Sequence, residues 1–112
     1  MPRDPHRPRR STADRLREAL LALGQHRGLI LTHAEKPGAS VTFAGARHTL
    51  ALLFAGEDAV FAGEKFIAEL PEHEFALRGQ IVADATVTGV EHRMLPAPRL
   101  LVECELLLLV DA

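Results

Sequence analysis

RLLVECELLLLVD, residues 99–111, is the most apolar stretch of this 112-residue chain. Its residues fall into two alternating sets, and a period of two is typical of a β-strand. The set that we expect to face the core is Val102, Cys104, Leu106, Leu108 and Val110. The other set combines Leu107 and Leu109 with charged residues. The stretch therefore predicts a central strand with one core face and a second face that is partly apolar.

The rest of the chain predicts two helices and four more strands. Ser11 and Asp14 match a capping box, which is a signal for the start of a helix. We expect that helix to span 12–27 and to end at Gly28, because glycine suits the left-handed terminating residue. A second amphipathic helix is expected over 57–70, where apolar residues recur at three- and four-residue steps. The further strands are expected at 29–35, 40–44, 47–54 and 80–90.

The order of these elements is α-β-β-β-α-β-β, which predicts an α+β fold. Each helix has one apolar stripe, so we expect both helices to pack on one face of a five-stranded antiparallel sheet. Residues 11–112 are expected to form this single domain. Residues 1–10 are basic and contain three prolines, and they are expected to form a flexible tail.

The sheet face away from the helices is expected to carry a surplus of large apolar side chains. On a soluble protein, an apolar patch of this kind marks an interface. The sequence therefore predicts a non-enzymatic assembly or interaction module that is a homo-oligomer, most simply a homodimer. The predicted interface residues are Leu29, Leu31, Leu53, Val82, Leu107 and Leu109.

The alternative is a small-molecule-binding protein or minor enzyme with a pocket between the sheet and the helices. The expected strand pairing places His48 near Thr32 and Phe43 on the apolar face, so these three residues would line the pocket. The same position also suits a structural histidine that is hydrogen-bonded to Thr32. The sequence contains no metal-ligand spacing, phosphate-binding loop or nucleophile motif. It therefore predicts no catalytic residue, no metal site and no cofactor, which favours a non-enzyme.

Charge is distributed unevenly along the chain. Residues 1–17 contain six arginines and two aspartates, whereas residues 18–112 contain seven basic and thirteen acidic residues. The basic end is interpreted as a solvated leader, with a nucleic-acid-binding arm as the alternative. Residues 12–70 share their predicted element order with double-stranded-RNA-binding domains. Glu57 and Asp58 stand where such a domain needs basic residues, so nucleic-acid binding is disfavoured.

The sequence also indicates where in the cell the protein is located. The longest apolar run, 106–110, is far shorter than the ~20 residues that cross a bilayer, and no apolar segment follows the basic N-terminus as in a secretory signal. Cys104 is the single cysteine, which favours a reducing cytoplasm. Eleven arginines against two lysines suggest a bacterial protein with GC-rich coding. We therefore expect a cytoplasmic protein without membrane association.

Overall fold

The computed structural model describes residues 10–38 and 44–111. Its helices are α1 (Thr12–Leu23) and α2 (Glu57–Glu69), and a 3-10 turn (Leu70–Glu72) follows α2. Its strands are β1 (Gly28–Pro37), β2 (Gly45–Ala55), β3 (Gln80–Arg93) and β4 (Arg99–Val110). They form one antiparallel sheet in the order β1-β2-β4-β3, which gives an α+β fold. Neither of the described helices has the length and apolar character needed to cross a membrane.

Strand β4 is an interior strand of the sheet, as its alternating sequence predicts. It pairs with β2 on one side and with β3 on the other. Val102, Cys104, Leu106 and Leu108 are fully buried, which confirms them as core residues. Val110 is 49% exposed because it lies at the strand end, so the buried set stops at Leu108.

The prediction of five strands is wrong. Strands β1 and β2 pair directly with one another, from Gly28 opposite Phe54 to Pro37 opposite Ala46. This direct pairing leaves no place between them for the strand predicted at 40–44. Residues 40–43 of that segment lie outside the described residues, and Ala44 belongs to no strand. The described sheet therefore has four strands.

Both helices pack on the same face of the sheet, as predicted from their apolar stripes. Leu16 and Leu20 of α1 and Phe66 of α2 belong to one buried cluster with residues of β2 and β4. Helix α2 comes close to the sheet at Gly63, where a Cβ atom would lie 2.8 Å from the Phe54 ring. Only a residue without a side chain fits that spacing. This explains why the apolar stripe of α2 contains a glycine.

Helix α1 is shorter than predicted. It ends at Leu23 and not at residue 27, because Gln25 and His26 adopt left-handed backbone angles with φ of 59° and 56°. The backbone N–H of His26 donates to the carbonyl of Leu21 and closes the helix end. Gly28 is therefore not the helix terminator but the first residue of β1. The start of α1 is as expected, since Ser11 and Asp14 form both hydrogen bonds of a capping box.

A bulge at Leu31 decides which face of the sheet each later residue of β1 occupies. The pairing of β1 with β2 shifts between Ile30 and Thr32. One inserted residue moves all following side chains to the opposite face. Thr32 consequently lies on the face away from the helices, opposite Ala51, whereas His33 lies on the helix-covered face. An alternation without the bulge predicts that Thr32 faces the helices and that His33 faces away from them, and that prediction is wrong.

The pairing of β3 with β4 also shifts around Ala83 and again around Thr88. Each shift moves the side chains that follow it to the opposite face of the sheet. Val82 pairs with the buried Leu108 and packs against the core. Ile81, on the other side of the strand, is 51% exposed. The prediction that Val82 projects away from the helices is therefore wrong, because the bulge at Ala83 displaces the alternation by one residue.

Candidate functional site

No described helix covers the second face of the sheet, which we call the open face. It consists of the side chains that project away from α1 and α2. In the order of the sequence they are Leu29, Leu31, Thr32, Ala34, Lys36, Arg47, Thr49, Ala51, Leu53, Ile81, Asp84, Thr86, Glu91, Arg93, Arg99, Leu101, Glu103, Glu105, Leu107 and Leu109. The strand register places these residues as neighbours although they come from four separate segments of the chain.

The open face is apolar at both ends and polar in the middle. At one end Leu29, Leu53 and Leu101 lie side by side across three strands. At the other end Leu109 pairs with Ile81, and Leu107 lies two residues away along β4. The central rows carry short threonine and alanine side chains together with ionised groups. A molecule that bound to this face would therefore contact leucine side chains at both ends of the sheet.

The first apolar end contains a shallow depression of about 290 Å³. Leu31, Leu53 and Leu101 line it together with the charged residues Glu91, Arg93 and Arg99. Arginine side chains beside an apolar floor are common in protein interfaces, where arginine is enriched relative to lysine. The depression is open to solvent.

Two ion pairs lie on the open face, one between β2 and β4 and one within β3. Arg47 lies 2.7 Å from a carboxylate oxygen of Glu105, near the centre of the face. Arg93 lies 2.8 Å from a carboxylate oxygen of Glu91, at the apolar end that contains the depression. These pairs connect charged groups that would otherwise have to be desolvated singly in an interface.

Five of the six predicted interface residues lie on the open face. Leu29 and Leu31 are 61% and 49% exposed, and Leu53, Leu107 and Leu109 are half-buried. Val82 is the exception described above. The sequence prediction omits Leu101 and Ile81. The alternation of β4 could have identified Leu101, because it shares its parity with Leu107, whereas the bulge at Ala83 conceals Ile81.

A second cluster of ionisable groups lies where α1 packs on β1. The Arg17 guanidinium donates to the Asp14 carboxylate and, over 2.9 Å, to Nδ1 of His33. Nε2 of His33 lies 2.8 Å from Nδ1 of His48, which is only 1% exposed. The cluster therefore links an exposed carboxylate to a buried imidazole through a continuous series of hydrogen bonds.

The direction of each hydrogen bond follows from the arginine, which can only donate. Nδ1 of His33 must accept, so the proton of neutral His33 is on Nε2 and is donated to His48. Burial lowers the pKa of His33 below its usual value, and the charges of His48 and Arg17 add to that effect. Burial also lowers the pKa of His48, while Glu35 opposes the shift in both histidines. Both imidazoles are therefore neutral near pH 7.

Two of the three residues predicted to line a pocket lie on opposite faces of the sheet. His48 faces the helices, Thr32 lies on the open face, and Phe43 lies outside the described residues. His48 bonds to His33 and not to Thr32. The bulge at Leu31 separates the predicted pair, because it places Thr32 and His48 on opposite faces. Arg17 and His33 are the partners that sequence reasoning missed.

Cys104 is a core residue, as expected. It is fully buried in β4, and burial raises the pKa of its thiol to about 12. The thiolate that nucleophilic chemistry requires is therefore absent at physiological pH. Among residues 10–38 and 44–111, no three histidine, cysteine or carboxylate side chains are grouped as a metal ion would need.

The described residues form a two-layer α+β protein in which no described helix covers one face of the sheet. Comparison of the chain with family models, with curated proteins and with solved structures found no match.

Proposed function

We propose that the protein is a non-enzymatic assembly module that forms a homodimer through the open face. The observation that carries this proposal is a sheet face that no described helix covers and that has leucine side chains at both of its ends. A second copy of the chain would cover those leucines with its own. The same proposal places the protein in a bacterial cytoplasm, because its single cysteine, Cys104, cannot form an internal disulfide and because eleven arginines stand against two lysines.

The size of the open face supports a dimer. Four strands spaced ~4.8 Å apart, with about eleven residues each at ~3.3 Å, span roughly 700 Å². A stable protein interface covers about 800 Å² on each partner. Side-chain relief adds to the flat area, so one copy of the open face supplies the surface that a stable dimer needs.

The charge of the open face supports a partner with the same surface. It carries four cations and four anions, namely Lys36, Arg47, Arg93 and Arg99 against Asp84, Glu91, Glu103 and Glu105. Residues 18–112 as a whole carry thirteen acids and seven bases. Two copies would therefore repel one another least when they meet at this face, because it is electrically balanced.

Replacing Leu107 with glutamate is expected to weaken the dimer by at least about 30-fold. This factor corresponds to the ~2 kcal/mol that defines an interface hot spot, and a carboxylate buried in an interface adds a desolvation cost. Sedimentation equilibrium across a concentration series measures the change. Leu107 is half-buried on the open face of the free chain, so the substitution does not enter the core.

The matched control is the same substitution at Leu95, which is 81% exposed in the connection between β3 and β4. Leu95→Glu adds the same charge away from the open face and is expected to leave the dimer intact. Equal weakening by both substitutions would argue against an interface on the open face. A monomeric wild type would refute the proposed dimer itself.

A further inference from the structure

A groove on the opposite side of the molecule has a different character from the open face. It lies between α2 and the ends of β3 and β4 and has a volume of about 430 Å³. Phe61 and Met94 line it and are 61% and 63% exposed. Two large apolar side chains exposed beside one another on a charged surface are typical of a docking site.

The wall of this groove is acidic. Glu57, Asp58 and Glu64 project from α2 along it. The nearest cation on α2 is Lys65, whose Nζ lies 5.4 Å from the centre of the Phe61 ring. Three carboxylates against one ammonium leave the groove negative, so its occupant should be cationic and partly apolar.

The chain itself contains a segment with these properties. Residues 1–9, which lie outside the described residues, read MPRDPHRPR and carry three arginines against one aspartate. Pro2, Pro5 and Pro8 recur at every third position. A polyproline II helix has three residues per turn, so this spacing aligns the prolines along one edge, about 9 Å apart.

We propose that residues 1–9 dock as a polyproline II segment in the groove between α2 and the ends of β3 and β4. Proline-rich segments bind grooves lined by aromatic side chains, and Phe61 supplies such a side chain here. Prolines on one edge would pack on Phe61 and Met94, while arginines on the other edges would reach the carboxylates of α2. The proposal is independent of the open-face dimer, because it uses no residue of that face.

The segment, when extended, is longer than the acidic wall of the groove. At ~3.1 Å per residue, nine residues in this conformation extend about 28 Å. The acidic wall from Glu57 to Glu64 covers seven residues of α2, which is about 10 Å along the helix axis. The segment can therefore follow the whole wall. The contact can form within one chain or between two copies, and the experiment distinguishes these cases.

A spin label at the N-terminus tests the proposal in the full chain. A nitroxide attached to His6→Cys, a position that is neither a proline nor an arginine of the segment, should reduce the amide NMR signals of Phe61, Glu64 and Met94, and it should leave Thr49 on the open face unaffected. Cys104 is fully buried, so the label reacts at the new cysteine alone. Mixing labelled, unenriched chain with unlabelled ¹⁵N chain shows whether the loss of signal arises between copies. Undiminished signals at Phe61 and Met94 in both samples would overturn the proposal.

Three variants separate docking from chance proximity. Replacing the three segment arginines with glutamine, or Glu57 and Glu64 with glutamine, should restore the groove signals. Salt at about 1 M, where the Debye length is ~3 Å, should also restore them. Lys65→Gln, which removes the opposing cation, should deepen the signal loss. Signal loss that persists unchanged in the arginine and glutamate variants would overturn the proposed docking.

Discussion

Replacing Phe54 with alanine is expected to lower the free energy of unfolding by about 3–5 kcal/mol, the largest effect of any substitution discussed for this protein. Phe54 is fully buried, and its ring centre lies 5.8 Å from that of Phe66. Three glycines face the ring: Cβ atoms built on Gly24, Gly28 and Gly63 would come within 3.0, 2.9 and 2.8 Å of it. These glycines have no side chains that could move into the vacated space, so the cavity would stay open.

Urea unfolding followed by far-ultraviolet circular dichroism measures this loss, because the chain contains no tryptophan or tyrosine for fluorescence. Leu95→Ala is the control, since Leu95 is 81% exposed and lines neither the groove nor the open face, and its truncation should change stability by no more than about 0.5 kcal/mol. A loss below about 1 kcal/mol for Phe54→Ala would mean that the packing of α2 on the sheet differs from that described.

His48 is expected to make the stability of the protein dependent on pH. Burial lowers the pKa of His33 and of His48 below 6.5, so the unfolded chain binds protons that the folded chain excludes. Where the unfolded state binds more protons, stability decreases as the pH falls. The decrease should therefore begin as the pH falls through about 6.5 and continue until the folded histidines protonate. At pH 8 both states are neutral at these histidines, and the full stability is present.

His48→Ala tests the origin of this dependence. At pH 7.5 the substitution should cost about 2–4 kcal/mol, because it leaves a cavity and removes the acceptor that satisfies His33. Between pH 7.5 and 5.5 the variant should lose less stability than the wild type does. His92→Ala is the control, since His92 is exposed and its removal should leave the slope unchanged. Equal slopes for His48→Ala and the wild type would exclude the buried histidine as the cause.

Local periodicity was sufficient to predict several parts of the fold. The core face of β4 and the helix start at Ser11 each depend on residues within a short stretch of sequence. The sequence near them therefore contains the signal.

The bulges could not be predicted in the same way. A bulge depends on how two strands pair, and Leu31 and Ala83 differ in no way from ordinary strand residues. The errors at Thr32 and Val82 follow from these two positions. The hydrogen bond between His33 and His48 was missed for the same reason, because it requires His33 to face the helices.

The most direct test of the central claim is an isotope-filtered NOE spectrum of a mixture of ¹³C-labelled and unlabelled chains. It detects methyl groups of one copy that touch protons of another. The open-face dimer predicts intermolecular NOEs from the methyl groups of Leu29, Leu53 and Leu107. Intermolecular NOEs that are absent from these leucines, at concentrations where the wild type sediments as a dimer, would contradict an interface on the open face.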